Sequence, residues 1–359
     1  MSSALRIIVD ENMPMAEAFF GRLGDVRLKA GRTITRDDVR HADVLLVRSV
    51  TRVNRELLEG SSVRFVGSAT IGTDHVDLAW LAAAGIQFAH APGCNAQAVV
   101  EYVIAALAYL AKEKRCAWGA DRIGIVGGGH VGSRLARTLV ALGWSVQVFD
   151  PFLNSAESDL PLATLEQIQG CDIVSIHTPL THDGDHPTAG MIDHEWLSAY
   201  KGRVLINAGR GPVIDEAAIC PWIEADSSRS LVLDVWPNEP TISQRLMECT
   251  TLGSPHIAGY SLEGRIQGTR QVHQALCSWL RYSADEPPLH LEKSASQRLD
   301  DLTQWDVDPL LQWWLTRYDP TLDDAELRDL ALSGRLNAGE FDRLRKFYRV
   351  RRQLIWEKP

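Results

Sequence analysis

The sequence predicts an α/β protein with two doubly wound parallel sheets and a small C-terminal segment of different character. Three observations predict it. Short apolar strands alternate with helical patterns over two separate stretches, a glycine-rich turn opens the second stretch, and the composition is globular, with 45% hydrophobic and 23% charged residues. The 359 residues exceed one average domain, so two or three domains are expected.

The first stretch contains four candidate strands. They are the apolar runs LRIIV from Leu5, VLLV at 44–47, VRFVG at 63–67 and IQFA at 86–89. The intervening segments are long enough for crossovers, so the strands should pair in parallel. A long helix is predicted at 96–112 behind Asn95, a good N-cap, and its apolar residues on nearly every face indicate burial between units.

The second stretch contains five candidate strands. They lie at 122–126, 146–149, 172–177, 203–207 and 231–234, and a further short segment ends at His256. With helices between them, these strands predict a second doubly wound sheet. Another helix is predicted from Leu262 to about Tyr282, followed by a linker at 284–288.

The C-terminal segment is distinguished by its charge pattern. Residues 299–330 carry nine acids and two arginines, whereas 341–352 carry six bases and one acid, and four tryptophans lie between 305 and 356. Two interpretations stay open: a small helical appendage with solvated charges, or an interface where acidic and basic segments of two chains meet.

Charge and cysteine content exclude several classes of function. The net charge of −9 disfavours nucleic acid and anionic membrane surfaces as partners. No apolar run approaches the roughly 18 residues of a spanning helix, and the N-terminus lacks a secretory layout. The six cysteines lie far apart without a CxxC pair, which is typical of buried thiols in a reducing compartment. We expect a cytoplasmic protein.

The glycine-rich turn predicts a dinucleotide site. Gly127, Gly129 and Gly132 form G-x-G-x-x-G directly after an apolar strand and before a helical pattern. The first glycine allows the tight turn, the second lets the backbone approach a pyrophosphate, and the third lets the helix pack closely on the strand. The helix N-terminus would hold the diphosphate, so the segment predicts a Rossmann-type domain.

Asp150 predicts the choice of cofactor. It ends the next strand, 18 residues after Gly132, where a carboxylate would accept hydrogen bonds from a ribose diol. A 2′-phosphate at that place would meet a like charge, and the following Pro151 and Phe152 offer no arginine to relieve it. We therefore predict NAD rather than NADP. A nucleotide-hydrolysing site is disfavoured because the chain has no G-x-x-x-x-G-K-[ST] motif.

Three polar residues follow the last strands of the second stretch. Arg210, Glu239 and His256 come after neighbouring strand ends, where ligands of doubly wound sheets bind. Histidine can take the hydroxyl proton of an alcohol that loses a hydride, and a carboxylate beside it would fix its tautomer. An arginine can hold a substrate carboxylate through two parallel hydrogen bonds. A histidine alone is more often structural, but the three residues together behind a dinucleotide fold favour a catalytic role for His256.

Longer motifs carry a family resemblance. INAGRG at 206–211, DVWPNEP at 234–240 and SPHIAGY at 254–260 resemble the D-isomer-specific 2-hydroxyacid dehydrogenases. Within that superfamily the chain is similar to the erythronate-4-phosphate dehydrogenases of vitamin B6 biosynthesis, through SATIGTDHVD at 68–77, APGCNAQAVVEYV at 91–103, HTPLTHDGDHPT at 177–188 and PHIAGYSLEGR at 255–265. The motifs end near residue 280, and the tail matches only as an extra segment.

The resemblance implies a fold, a reaction and a set of site residues. It implies a discontinuous, flavodoxin-like substrate domain (1–94 with 257–285), an NAD-binding Rossmann domain (95–256) and a C-terminal dimerisation domain (286–359) of a homodimer. It implies NAD-dependent oxidation of 4-phospho-D-erythronate to 3-hydroxy-2-oxo-4-phosphooxybutanoate, with His256 as the base and Glu239 and Arg210 completing the active site. Substrate contacts are expected at Ser49, Thr70 and Tyr260, and NAD contacts at Gly127, Gly129, His130, Val131, Gly132, Asp150, Thr178, Asp234 and Gly259.

The phosphate end of the substrate is less defined. Arg48 and Arg52 flank Ser49 at a strand end, and the loop at 67–72 is bounded by glycines whose backbone N–H groups could hold an anion. We expect Arg48 to help bind phosphate or carboxylate, whereas a surface role for Arg52 is equally compatible with the sequence.

Other functions remain as alternatives. The loop at 181–186 offers two histidines and two aspartates, but Gly184 and Pro187 favour a plain connection, so no metal is expected. A dehydrogenase for 3-phosphoglycerate would share the nucleotide fold and the Arg/Glu/His set, although Tyr260 and the loop at 182–188 favour the erythronate interpretation. An NAD(H)-sensing corepressor is a non-enzymatic alternative, disfavoured by the full catalytic set.

Overall fold

The structure, a computed structural model, describes residues 4–288 and 296–357 and contains two compact units. The first unit is Met1–Asn95 with Ser261–Lys293, and the second is Ala96–Tyr260 with Ser294–Pro359. The described part of the C-terminal segment therefore packs with the second unit. The division into three domains stays a prediction.

The first unit has a five-stranded parallel sheet. Its elements are β1 (Leu5–Asp10), α1 (Ala16–Phe20), β2 (Gly24–Lys29), α2 (Arg36–Val39), β3 (Val44–Val47), α3 (Arg55–Leu58), β4 (Phe65–Ser68), α4 (Leu78–Ala83) and β5 (Gln87–His90). The strand order is β2-β1-β3-β4-β5. β3 and β4 are entirely buried, which explains why they read as continuous apolar runs. β2 was not predicted, because this edge strand is mostly exposed and polar.

The second unit has a six-stranded parallel sheet. Its elements are α5 (Ala96–Lys112), β6 (Arg122–Val126), α6 (His130–Ala141), β7 (Ser145–Phe149), α7 (Leu165–Gln169), β8 (Ile173–Ile176), α8 (His194–Ala199), β9 (Val204–Asn207), α9 (Glu216–Glu224), β10 (Ser230–Leu233), α10 (Gln244–Cys249) and β11 (Leu252–Gly253). The order is β11-β10-β9-β8-β6-β7. The two sheets confirm the predicted α/β class; the sixth strand, β11, is two residues long and lies in the short segment before His256.

The remaining elements are mostly helical. They are α11 (Leu262–Leu280) in the first unit, then β12 (Ser296–Arg298), α12 (Leu299–Leu302), α13 (Val307–Arg317), α14 (Thr321–Leu332), α15 (Ala338–Lys346) and β13 (Ile355–Glu357), with β12 and β13 pairing in parallel. α5 is buried along most of its length and packs against α6 and α13 of its own unit. In the described ranges, no helix combines the length and the apolar character needed to cross a membrane.

The charges of the C-terminal segment partly pair within the chain. Arg349 contacts buried Asp323 at 2.7 Å, and Arg328 contacts Asp324 at 2.8 Å. Arg351 is 5% exposed and donates hydrogen bonds to the carbonyl oxygens of Ala98 and Ala258. Neither sequence interpretation of this segment included such pairing, because charge runs do not reveal which charges meet inside one chain.

Candidate active site

The order of the second sheet reverses between β6 and β8, and ligands of doubly wound sheets bind at such a reversal. Gly127 follows β6 and has φ +96°, which favours glycine. A Cβ at Gly127 would lie 2.9 Å from the backbone of His177, which follows β8, so the two strand ends abut. The glycine turn is thus located at the reversal.

The turn has the features of an anion cradle. A Cβ at Gly132 would overlap the carbonyl oxygen of Gly127, whereas a Cβ at Gly129 would meet open space. Gly129 caps α6 without any side-chain hydrogen bond to the first backbone N–H groups, and His130 and Val131 open the helix. Free N–H groups at an accessible helix N-terminus fit the pyrophosphate of a dinucleotide.

Two polar groups after β8 add to this fit. In the described part of the chain, Thr178 Oγ1 and His177 Nδ1 are buried and have no hydrogen-bond partner. Burial lowers the pKa of His177 to about 3, so its ring is neutral, and its Nε2 lies 2.9 Å from Ser175 Oγ. A buried hydroxyl without a partner at the sheet reversal is suited to a ligand that completes its hydrogen bonding.

Asp150 follows β7 on the other side of the turn. One carboxylate oxygen accepts a hydrogen bond from the Gly128 N–H at 2.8 Å, and the other accepts one from the Phe152 N–H at 3.0 Å. These contacts fix the carboxylate beside the glycine turn. Each oxygen keeps a further lone pair that can accept a hydrogen bond from a ribose hydroxyl.

His256 and Glu239 form a close pair. Nδ1 of His256 lies 2.7 Å from Oε2 of Glu239, while Oε1 of Glu239 accepts a hydrogen bond from the Trp236 N–H at 2.8 Å. Burial raises the pKa of Glu239, but the charge of His256 and these hydrogen bonds outweigh it, so the pKa is lowered overall. An ionised carboxylate keeps the proton on Nδ1 and leaves Nε2 as the proton acceptor.

The His256 backbone is held in an unusual conformation. Its φ is +57°, in the left-handed region that non-glycine residues seldom occupy. Asp234, 2% exposed, fixes the following loop by accepting hydrogen bonds from the N–H groups of Ile257 and Ala258 and from Ser254 Oγ. Burial raises the pKa of Asp234, and these donors and His256 only partly offset it. Gly259 and Tyr260 continue this loop.

The Arg210 loop lies against the Glu239 loop. A Cβ at Gly211 would overlap the carbonyl oxygen of Trp236, so the absence of a side chain there permits the close approach. Asn207 fixes the turn by accepting from the Gly209 N–H and donating to the Arg210 carbonyl oxygen. Arg210, Glu239 and His256 thus follow three neighbouring parallel strands, β9, β10 and β11, at the same edge.

Arg48, Ser49 and Thr70 belong to the first unit. They follow β3 and β4, which are neighbours, so the three residues share the carboxyl edge of that sheet. Thr70 Oγ1 donates to the Gly72 carbonyl oxygen at 3.1 Å and therefore accepts from Ser68 Oγ at 2.7 Å, which in turn accepts from His75 Nε2. This hydroxyl relay through Ser68 and His75 was not predicted; the histidine seven residues after a strand-end serine was the signal.

Comparisons with known proteins identify the family of this chain. The profile of the D-isomer specific 2-hydroxyacid dehydrogenase, NAD binding domain, matches residues 111–258, and a domain of unknown function (DUF3410) matches residues 290–355. Erythronate-4-phosphate dehydrogenase of Marinobacter nauticus is 47% identical over 97% of this chain and 92% of its own length, and that of Teredinibacter turnerae is 45% identical over 97% and 93%.

A solved structure shares the fold. The NAD-bound 3-phosphoglycerate dehydrogenase of Entamoeba histolytica superimposes with a TM-score of 0.67 at 20% identity, covering 78% of this chain and 96% of that one.

Proposed function

Because this chain belongs to the erythronate-4-phosphate dehydrogenase family and is an NAD-dependent oxidoreductase, we propose that it oxidises 4-phospho-D-erythronate at C2. The product is 3-hydroxy-2-oxo-4-phosphooxybutanoate, and the reaction serves pyridoxine (vitamin B6) biosynthesis. The names of the relatives support this substrate, and the 2.7 Å contact between His256 and Glu239 carries the chemistry.

His256 is the base of the proposed reaction. Glu239 holds the proton on Nδ1, so Nε2 accepts the proton of the substrate C2 hydroxyl. The carboxylate then stabilises the imidazolium that forms. The imidazole side chain is 35% exposed, which gives a substrate access to Nε2.

Arg210 binds the substrate carboxylate in this proposal. Its guanidinium can form two parallel hydrogen bonds with a carboxylate, and the glycine-flanked loop fixes its backbone beside Glu239. Tyr260, Ser49 and Thr70 contact the rest of the substrate, and Arg48 binds its phosphate or carboxylate. The location of these residues after the carboxyl ends of parallel strands, where ligands of doubly wound sheets bind, supports this set.

NAD, when bound, accepts the hydride that leaves C2. The residues that would hold it are the turn Gly127–Gly132, Asp150, Thr178, Asp234 and Gly259. The open space at Gly129 and the unpartnered hydroxyl of Thr178 support the glycine turn and Thr178. Asp234 also fixes the loop that follows His256, so a contact with the cofactor would couple its binding to the base.

We also propose a homodimer formed through the C-terminal segment. Several apolar side chains there are exposed, among them Leu322 at 57%, Phe347 at 72% and Val350 at 75%. A second copy would remove this surface from water. The cytoplasm is the proposed compartment, supported by six free thiols, five of them buried.

A substrate comparison tests the proposed function. NADH formation is followed spectrophotometrically with 4-phosphoerythronate, then with 3-phosphoglycerate, each with NAD and NADP. We expect kcat/KM to be highest for 4-phosphoerythronate with NAD. If 3-phosphoglycerate were oxidised faster, it would take the place of 4-phosphoerythronate as the proposed substrate. If no 2-hydroxy acid transferred a hydride to the cofactor, the proposed dehydrogenase activity would be contradicted.

A further inference from the structure

We propose that Arg345 of the C-terminal segment is a positioning residue of the active site, which holds the Tyr260 side chain and favours the ionised form of the Glu239 carboxylate of its own chain. The proposal rests on the function proposed above. It gives the C-terminal segment a role in the reaction, whereas the family resemblance implies only dimerisation for this part of the chain.

The helix that carries Arg345 is fixed to the catalytic loops. α15 begins at the N-cap Asn337, whose side chain accepts a hydrogen bond from the Glu340 N–H. Its apolar residues Phe341 and Leu344 are buried in the same hydrophobic cluster as Trp236. The Trp236 N–H also donates a hydrogen bond to Glu239. The same packed core therefore fixes the positions of α15 and of the Glu239 carboxylate.

The preceding helix attaches to the His256 side of the site. In α14, Asp324 accepts a hydrogen bond from the Gly253 N–H at 2.7 Å, three residues before His256. Arg328 donates to the carbonyl oxygens of Met247 and Thr250 at 3.0 and 2.8 Å. These contacts hold the C-terminal helices at β11, so Arg345 has a defined position relative to the His256–Glu239 pair.

The Arg345 side chain is enclosed next to Tyr260. It is 14% exposed, and its guanidinium carbon lies 5.8 Å from the centre of the Tyr260 ring. The ring of Tyr348, shortly after α15, contacts the Tyr260 ring edge-on at 6.0 Å. Nε of Arg345 is buried and has no hydrogen-bond partner in the described residues.

Charged groups on neighbouring elements act on Arg345. Burial lowers the pKa of Arg345, but Tyr260, Glu239 and Asp342 outweigh it and raise the pKa, with a hydrogen bond to Tyr260 contributing. Asp342, on α15, approaches Arg345 Nη1 only to 3.9 Å. Glu239 faces His256 and Arg345, and His256 also faces Asp234, while Arg210 lies in the adjacent loop.

The charge of Arg345 and its hydrogen bond to Tyr260 have separate chemical consequences. The cation favours the ionised form of Glu239, which keeps the Nε2 of His256 available as a base. The Tyr260 hydroxyl accepts from the guanidinium and keeps its own proton to donate to the substrate. Arg345 therefore acts through Glu239 and Tyr260 and needs no contact with the reacting atoms.

Three variants test the proposal. Arg345→Gln removes the charge, Arg345→Lys keeps it, and Arg343→Gln removes a charge from the same helix where Arg343 pairs with Glu340 away from the site. The pH profile of kcat/KM is measured with whichever 2-hydroxy acid the wild-type protein oxidises fastest. Titration of the Glu239 carboxyl carbon by NMR, assigned with Glu239→Gln, gives a readout without substrate.

We expect Arg345→Gln to move the acid limb of the profile and the Glu239 titration to higher pH by at least ~0.5 unit, and to lower kcat/KM about 10-fold at neutral pH. Arg345→Lys should keep the wild-type limb and raise KM, because an ammonium cannot reproduce the guanidinium contacts with Tyr260. Arg343→Gln should behave as wild type.

The proposal would be overturned if folded, NAD-binding Arg345→Gln kept the wild-type acid limb of kcat/KM and the wild-type Glu239 titration. It would also be overturned if Arg343→Gln shifted both by the same amount as Arg345→Gln. If Arg345→Gln does not fold, Arg345→Lys decides: a wild-type limb together with a raised KM supports the proposal, whereas an unchanged KM or a shifted limb overturns it. Wild-type inactivity with every acid would contradict the proposed function alone, since the Glu239 titration would still report on Arg345.

Discussion

The carboxyl edges of the two sheets carry different kinds of polar side chain. In the second unit, His256 is bonded to Glu239, and the carboxylates of Glu239 and Asp234 accept hydrogen bonds from backbone N–H groups of the surrounding loops. In the first unit, Arg48 is half-buried and Ser49 is exposed. In the proposed reaction, the second edge supplies the base and the first edge contributes to substrate recognition.

Within the second edge, two carboxylates have opposite properties. Asp234 is surrounded by backbone donors and buried, and its pKa is raised; the pKa of Glu239, against an imidazole, is lowered. Asp234 fixes the loop and Glu239 acts on the ring. Substitutions at the two edges should therefore separate effects on kcat from effects on KM.

The largest effect is expected at His256. His256→Ala should lower kcat by about 10²- to 10⁴-fold, the usual contribution of a positioned base, because the imidazole that Glu239 orients is lost. The dissociation constant for NAD, measured by fluorescence quenching, should stay near the wild-type value. Turnover close to wild type in this variant would remove His256 from the proposed chemistry.

Cofactor choice gives the next largest effect. A 2′-phosphate beside the fixed Asp150 carboxylate costs several kcal/mol, so kcat/KM with NADP should be at least ~10²-fold below that with NAD. Asp150→Ser should reduce the preference for NAD over NADP in kcat/KM, mainly by weakening the binding of NAD. Equal use of both cofactors by the wild-type protein would contradict the assignment of Asp150.

Glu239→Gln should have an intermediate effect. Loss of a charge-assisted hydrogen bond of about 1.5–3 kcal/mol predicts a fall in kcat of roughly 10- to 100-fold with little change in KM. A mainly raised KM would instead assign Glu239 to substrate binding.

The same carboxylate has a pH signature in stability. Because the folded-state pKa of Glu239 is lowered, its stabilisation is fully present above the ordinary value of 4.5 and is lost as the pH falls through the lowered value. The free energies of unfolding of wild type and Glu239→Gln, measured with denaturant, should therefore differ by a constant amount above pH 4.5. The difference should disappear as the pH falls through the lowered pKa. If the difference in free energy of unfolding grew as the pH was lowered, it would contradict a stabilising role of the ionised Glu239 carboxylate.

The smallest effect is expected at the edge of the first unit. Arg48→Ala should raise KM for the phosphorylated substrate about 10-fold and leave kcat nearly unchanged, as for loss of one charged hydrogen bond. Arg52→Ala, an exposed neighbour, is the matched control. An unchanged KM in Arg48→Ala, or an equal change in the control, would exclude Arg48 from anion binding.

Much of the fold could be predicted because buried parallel strands appear in the sequence as continuous runs of apolar residues. β3, β8 and β10 are entirely buried and were recognised from their side chains alone. β2 could not be recognised, because an edge strand with exposed residues leaves no apolar run. The glycine turn was predictable because Gly127 has a positive φ, Gly132 leaves no room for a Cβ, and Gly129 leaves open space that a pyrophosphate can approach.

The site residues were proposed from strand-end position and family resemblance, and their roles stay predictions. What the sequence could not provide are contacts between distant segments. Asp323 with Arg349, and Arg345 with Tyr260, join residues whose approach depends on how the C-terminal helices pack. Charge runs report composition, whereas pairing depends on three-dimensional packing.

The most direct test follows the hydrogen at C2. The wild-type protein is given NAD and 4-phosphoerythronate carrying deuterium at C2, and the NADH formed in a single turnover is analysed by mass spectrometry. The account predicts that the deuterium is recovered on the nicotinamide ring and that the same turnover is strongly slowed in His256→Ala. Unlabelled NADH, or equally rapid transfer in His256→Ala, would contradict it.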